Sequence, residues 1–91
     1  MVDKLDDADV LMISSKGSYG YIKIQGSCEV GIEVCYLAIC KYPKSDKVYL
    51  FLCDEHMSVE NDWDYDSIEV AIEAAQKRTQ TPILWRYSNT I

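Results

Sequence analysis

The sequence predicts an α+β fold in which one helix packs on one face of a mostly antiparallel sheet of about five strands. Two observations predict it. Short segments in the first half of the chain are alternately or continuously apolar, as in β-strands, and one later segment has apolar residues at helical spacing. Because that helix has a single apolar stripe, it is expected to cover one face of the sheet. The predicted order is β-β-β-β-(β)-α-β, a two-layer sandwich.

Four strands are predicted before residue 54. Residues 10–14 form a short apolar run, and residues 19–25 alternate between polar and apolar side chains, as in a half-buried strand. Residues 30–41 are apolar on both faces, which indicates a central strand covered on both sides. Residues 47–53 follow a turn at residues 42–46, whose proline, serine and aspartate favour chain reversal, so these two strands form a hairpin.

The remaining elements are a weak strand, the helix and a last strand. Residues 54–65 are predicted to contain a short additional strand, because alternate positions carry the larger side chains. Asp66 is predicted as the N-cap of the helix, with Glu69 completing a capping box, and the helix is expected to run to about Thr79. A final strand is predicted at residues 83–87.

Length and charge restrict the possible roles. A chain of 91 residues is expected to form a single domain over residues 1–91, with residues 1–9 as a mobile acidic arm. Its net charge of -6 disfavours direct binding to nucleic acid or to anionic membranes. The start of the chain lacks the basic and apolar segments of an export signal, so a cytoplasmic location is predicted. Its four cysteines are accordingly expected to be free thiols, mostly buried.

Acidic residues are concentrated in one segment. No lysine or arginine lies between Lys47 and Lys77, whereas eight carboxylates do: Asp54, Glu55, Glu60, Asp62, Asp64, Asp66, Glu69 and Glu73. Trp63 and Tyr65 are interleaved with them. An acidic rim around aromatic side chains is suited to steering and then holding a basic protein partner. Alternatively, the segment is simply a solvated face that keeps the protein soluble.

A metal site is a further possibility in the same segment. Asp62, Asp64, Asp66 and Glu73 occupy positions 1, 3, 5 and 12 of a calcium-loop pattern. The glycine required at position 6 is replaced by Ser67, which the predicted capping box places near the start of the helix. The two interpretations compete for one stretch of backbone. The prediction is therefore that the protein has no metal site and no cofactor.

A nucleophilic thiol is the other chemical possibility. Cys53 lies three positions before His56, the single histidine, and an imidazole can activate a thiolate. Residues three apart on a strand point to opposite faces, so the pair would meet only if the chain turned between them. A buried cysteine beside a loop histidine is the simpler interpretation, and the cysteine spacings match no zinc ligand set. No catalytic residue is predicted.

One part of the chain resembles a known class of proteins. The residues concerned are Tyr49-Leu50-Phe51-Leu52-Cys53-Asp54-Glu55, then Val59, Asp62 and Trp63, then Ser67-Ile68-Glu69 and Ala71. This succession of strand, acidic turn, tryptophan and capped helix is similar to that of small bacterial immunity proteins, which neutralise toxins of contact-dependent or other polymorphic systems. The resemblance implies an acidic protein-binding surface and no catalytic residues.

These observations lead to three functional hypotheses. The first is a non-enzymatic inhibitor, an immunity protein that covers the basic surface of a nuclease-type toxin. Its partner-binding residues would be Asp54, Glu55, Glu60, Asp62, Trp63, Asp64 and Tyr65. The second is a phage- or host-encoded inhibitor that mimics nucleic acid. The third is a small enzyme or metal-binding module that uses Cys53 and His56, or residues 62–73. The sequence does not predict the oligomeric state.

Overall fold

A computed structural model describes residues 3–23 and 31–87 of the protein. It contains the following elements: β1 (Lys4–Leu5), β2 (Ala8–Ser14), β3 (Tyr21–Ile22), β4 (Ile32–Glu33), β5 (Tyr36–Lys41), β6 (Val48–Cys53), β7 (Val59–Tyr65), α1 (Ile68–Gln76) and β8 (Trp85–Tyr87). The fold is a small α+β domain with a curled antiparallel sheet and a single helix packed against it, which confirms the predicted class. Parts of the strands predicted at residues 19–25 and 30–41 lie outside the described residues. In the described parts, β3 and β4 pair with each other in a separate two-stranded sheet, and β5 alone carries the second prediction into the main sheet. No helix in residues 3–23 and 31–87 has the length and apolar character needed to cross a membrane.

The main sheet has the strand order β1-β2-β5-β6-β7, and β8 also pairs with β2. Because β5 occupies one edge of β2, β1 and β8 share its other edge. The predicted hairpin is present as β5 and β6, with Ala38 opposite Phe51. β7 continues the meander beyond β6 and ends the strand order, so it is an edge strand.

The N-terminal residues differ from the predicted arm. Lys4 and Leu5 pair with Asp9 and Ala8 in a hairpin joined to the main sheet. The two-residue turn between them is formed by Asp6 and Asp7, which have φ of 46° and 67°. Positive φ at both positions is the geometry of a type I′ turn, which aspartate tolerates because its short side chain bonds locally. Leu5 and Ala8 are buried, which ties this acidic turn to the sheet.

One face of the sheet carries the helix. Alternate residues of β5 and β6, including Leu37, Leu50 and Leu52, pack against Ala71 and Ala75 of α1 in one core. The two fully buried helix residues are alanines, and Ile68 and Ile72 pack beside them against the same core. This core forms from the apolar stripe that the sequence predicts.

The boundaries of the helix differ from the prediction. Its N-cap is Ser67, whose hydroxyl accepts a hydrogen bond from the backbone N–H of Val70 at 3.2 Å. Capping by Asp66 with Glu69 is therefore wrong, because Val70 occupies the third helical position. The helix ends at Gln76, three residues before the predicted end. Arg78, beyond the helix, donates a hydrogen bond to the carbonyl of Tyr19 at 3.0 Å.

The face of the sheet opposite the helix is covered by side chains from the strands and turns of the sheet. Phe51, Ala38 and Cys40 form a second core with residues of the N-terminal hairpin, and all three are almost fully buried. Partly exposed residues close over it: Tyr36, Tyr42, Tyr49, Met57 and Val59. The predicted double coverage is thus correct for β5, the part of the predicted strand 30–41 that lies in the main sheet.

A buried serine joins β2 to the start of β5. The hydroxyl of Ser14, 3% exposed, accepts a hydrogen bond from the backbone N–H of Leu37 at 2.9 Å. Replacement of Ser14 by alanine would leave that buried N–H unsatisfied, which costs about 1–3 kcal/mol. We expect Ser14→Ala to lower the free energy of unfolding by this amount in urea denaturation. Ser45→Ala, at an exposed turn, is the control and should have a smaller effect; equal effects would contradict the assignment.

Candidate protein-binding surface

The acidic segment that the sequence predicts lies largely in strand β7. Because successive side chains of a strand point to opposite faces, the predicted partner-binding residues of β7 are divided between the two faces of the sheet. Asp62 lies opposite Phe51 and Asp64 opposite Tyr49, so both aspartates are on the face of the second core. Trp63 lies opposite Leu50, on the helix face. The acidic and aromatic side chains of β7 therefore point in opposite directions.

Carboxylates from the start of the chain lie on the same face as Asp62. Burial raises the pKa of the Tyr42 hydroxyl, and the negative charges of Asp6, Asp62 and Asp7 raise it further. The carboxylates of these aspartates are therefore near enough to act on the tyrosine hydroxyl. Residues more than fifty positions apart in sequence thus contribute to one negative region.

Two tyrosines form the centre of this region. The rings of Tyr42 and Tyr49 are in contact edge to face, with centroids 5.2 Å apart and an interplanar angle of 84°. The Tyr42 hydroxyl donates a hydrogen bond to the carbonyl oxygen of Asp6 at 3.0 Å, which holds the N-terminal turn over the sheet. We call Asp6, Asp7, Tyr42, Tyr49, Asp62 and Asp64 the acidic tyrosine surface.

The predicted aromatic anchors occupy the other side of β7. Trp63 is 55% exposed, so it is accessible to a partner. Tyr65 is half-buried and packs against the helix-side core. Since β7 is an edge strand, a partner that contacts its free edge can reach Trp63 on one face and Asp62 on the other.

The other predicted acids lie at the β6–β7 turn. The carboxylate of Asp54 accepts hydrogen bonds from the backbone N–H groups of His56 and Ser58, each at 2.9 Å. It therefore stabilises the turn. Glu55 is exposed and its carboxylate lies 3.5 Å from the imidazole of His56. Glu60 is exposed at the start of β7, where the register between β6 and β7 shifts.

The geometry does not favour a nucleophilic cysteine. Cys53 is fully buried in the second core, and burial, followed by the charges of Asp54, Asp6 and Glu60, raises its pKa to about 12. Its thiol is thus protonated at neutral pH, and a protonated thiol is a poor nucleophile. His56 is exposed in the following turn. Cys35, Cys40 and Cys53 are free and buried, as predicted, and Cys28 lies outside the described residues.

The calcium-loop pattern does not form a loop. Asp62 and Asp64 lie within strand β7, and Glu73 lies within helix α1. Asp66, between them, forms an ion pair with Lys47 at the end of the β5–β6 turn. An extended strand followed by a helix cannot wrap these oxygens around one cation. Among the described residues no cluster of three metal-ligating side chains is present.

Sequence reasoning missed four members of the acidic tyrosine surface. Asp6 and Asp7 fall in the predicted mobile arm, although aspartate is also a residue that tolerates the left-handed conformation of tight turns. Tyr42 and Tyr49 flank the β5–β6 turn, and their distance from Asp62 in sequence concealed their proximity. Strand parity combined with the pairing of β6 and β7 would have placed Tyr49 beside Asp64.

A comparison of the chain with known protein families, with curated proteins and with solved structures gives no match.

Proposed function

We propose that this protein is a non-enzymatic inhibitor that binds a basic protein partner through the acidic tyrosine surface. We further propose that it acts as an immunity protein against a nuclease-type toxin. The observation that carries the proposal is that the Asp6–Asp7 turn, whose Asp6 carbonyl accepts a hydrogen bond from the Tyr42 hydroxyl at 3.0 Å, lies on the sheet face that carries Asp62 and Asp64.

The chemistry of a nuclease cleft supports this partner. Such a cleft is basic because it holds phosphate groups, so an acidic surface is its electrostatic complement. Carboxylates at the rim accelerate association, while tyrosines supply contact area with little loss of side-chain freedom. Tyr42 and Tyr49 are held in contact with each other before any partner arrives, which reduces the entropy lost on binding.

The position of β7 extends the proposed contact. Its outer edge is not paired with another strand of the described sheet. In this proposal the partner covers that edge, contacts Asp62 and Asp64 on one face and takes Trp63 as an anchor on the other. Tyr65 supports the strand from the helix side, and Asp54 stabilises the turn before it; neither needs to contact the partner.

Charge reversal on β7 tests the proposal. With the protein encoded by the neighbouring reading frame as the ligand, we expect Asp62→Lys/Asp64→Lys to slow association by about tenfold or more at low salt. The salt dependence of the association rate should also become flatter. Stopped-flow or surface-plasmon measurements between 25 and 300 mM salt, roughly the range over which screening changes most, provide both values.

The matched control is Glu69→Lys/Glu73→Lys on the exposed face of helix α1. It makes the same change in net charge at a different place, so it should change the association rate less. If the two variants behave alike, only net charge matters and the acidic tyrosine surface is not the binding site. If the neighbouring product does not bind the unmodified protein at all, the toxin assignment is wrong.

A protective role is the competing explanation for the acids of β7. Charged side chains on an exposed edge strand prevent pairing with a second copy. Under this explanation Asp62→Asn/Asp64→Asn would self-associate in sedimentation experiments and leave partner binding unchanged. Under our proposal the same variant binds the partner more weakly while it is still monomeric. Mimicry of nucleic acid stays a second prediction. It requires that a nuclease substrate displace this protein from its partner.

A further inference from the structure

A cleft lies on the same sheet face as the acidic tyrosine surface, at the other end of the strands. Its volume is about 320 Å³, and its lining includes Ile13, Tyr36 and Met57. Ile13 is buried, while Tyr36 and Met57 are partly exposed, so the floor of the cleft is apolar and accessible. This volume is at the lower end of the range for small-molecule sites.

Two cations line this cleft. Arg86 lies directly opposite Ile13 in the pairing of β8 with β2, which places its side chain on the cleft face. Lys16 follows the end of β2 and lines the same cleft. The ion pairs formed among residues 3–23 and 31–87 include neither of them. The lining given by the described residues contains these two cations and no carboxylate.

The backbone at the cleft is also unusual. Met57 has φ of 65°, a left-handed conformation that a long side chain rarely adopts. The turn that imposes it is fixed by the bonds from His56 and Ser58 to the carboxylate of Asp54. The Met57 side chain, which packs against the second core, is thereby held in the lining of the cleft. Strained conformations of this kind cluster at ligand-binding positions.

We propose that this cleft binds a small organic carboxylate with an apolar body. The apolar part would lie on Tyr36 and Met57, and the carboxylate would accept charge-assisted hydrogen bonds from Lys16 and Arg86. Arginine and carboxylate are complementary because the guanidinium can donate two parallel hydrogen bonds. The size of the cleft restricts the ligand to one ring or a short aliphatic chain. This site is distinct from the acidic tyrosine surface and does not depend on the toxin proposal.

Phenylacetate is a suitable probe, with phenylacetamide as its neutral counterpart. The ¹³C-methyl signals of methionine provide a local readout, because Met57 lines the cleft while Met12 is buried in the helix-side core. We expect phenylacetate to shift the Met57 signal saturably and to leave the Met12 signal in place. Phenylacetamide should bind at least about fivefold more weakly, because it lacks the charge.

Substitutions assign the binding to the two cations. Lys16→Gln and Arg86→Gln are each expected to weaken phenylacetate binding about fivefold or more. Both side chains are exposed, so the variants should fold, which the unchanged Met12 signal verifies. Lys44→Gln, at the exposed β5–β6 turn, is the matched control and should bind as the unmodified protein does. A saturable Met57 shift that survives both substitutions, or no saturable shift at all, would overturn the proposal.

Discussion

Replacement of Phe51 by alanine is expected to lower the free energy of unfolding by about 3–5 kcal/mol. Phe51 is 1% exposed and is the largest side chain of the second core, where its ring contacts that of Tyr49 at a centroid distance of 6.3 Å. The change removes buried apolar surface and leaves a cavity that the paired strands β5 and β6 cannot easily close. Domains of this size have only about 5–15 kcal/mol of stability, so the variant should approach unfolding at ordinary temperature.

Urea denaturation followed by tryptophan fluorescence and circular dichroism measures this effect. Leu84→Ala is the control, because Leu84 is 71% exposed and its truncation should change the stability by less than about 0.5 kcal/mol. If Phe51→Ala were no more damaging than Leu84→Ala, the second core would not contribute to folding. The acidic tyrosine surface would then lack the structural support of this core, because Tyr49 and Asp62 both adjoin Phe51.

Most of the fold follows from local patterns in the sequence. The alternation and continuity of apolar residues determine the β5–β6 hairpin and the helix, because each pattern matches the period of its element. Element ends are less well determined. Asp66 and Ser67 are both good N-caps, and the choice of Ser67 accompanies the ion pair of Asp66 with Lys47, which is a tertiary contact.

The candidate surface is harder to predict than the fold. The sequence identifies the acidity of residues 54–66, but the orientation of each side chain depends on strand parity and on the register with β6. The contribution of Asp6 and Asp7 depends on the curl of the sheet, which brings the N-terminal hairpin over Tyr42. Contacts of this kind are non-local and leave no periodic signal in the sequence.

Alkaline pH is expected to destabilise the protein through two cysteines of the second core. Burial raises the pKa of Cys40 and of Cys53 to about 12, against an ordinary value of 9.0 for the unfolded chain. Below pH 9 both thiols are protonated in both states, so their full contribution to stability is present. Between pH 9 and 12 the unfolded chain loses these protons while the folded protein keeps them, and this difference favours unfolding.

The expected loss is about 1.4 kcal/mol per pH unit for each thiol within that window, or roughly 3 kcal/mol for the pair by pH 10. Urea denaturation at pH 7, 8, 9 and 10 measures this loss of stability, because these values roughly span the onset of the effect. The variant Cys40→Ala/Cys53→Ala should be less stable at pH 7, because it lacks two buried sulfur atoms, but its stability should fall less between pH 8 and 10. Parallel curves for the two proteins would show that these thiols titrate normally, which would contradict their burial in the second core.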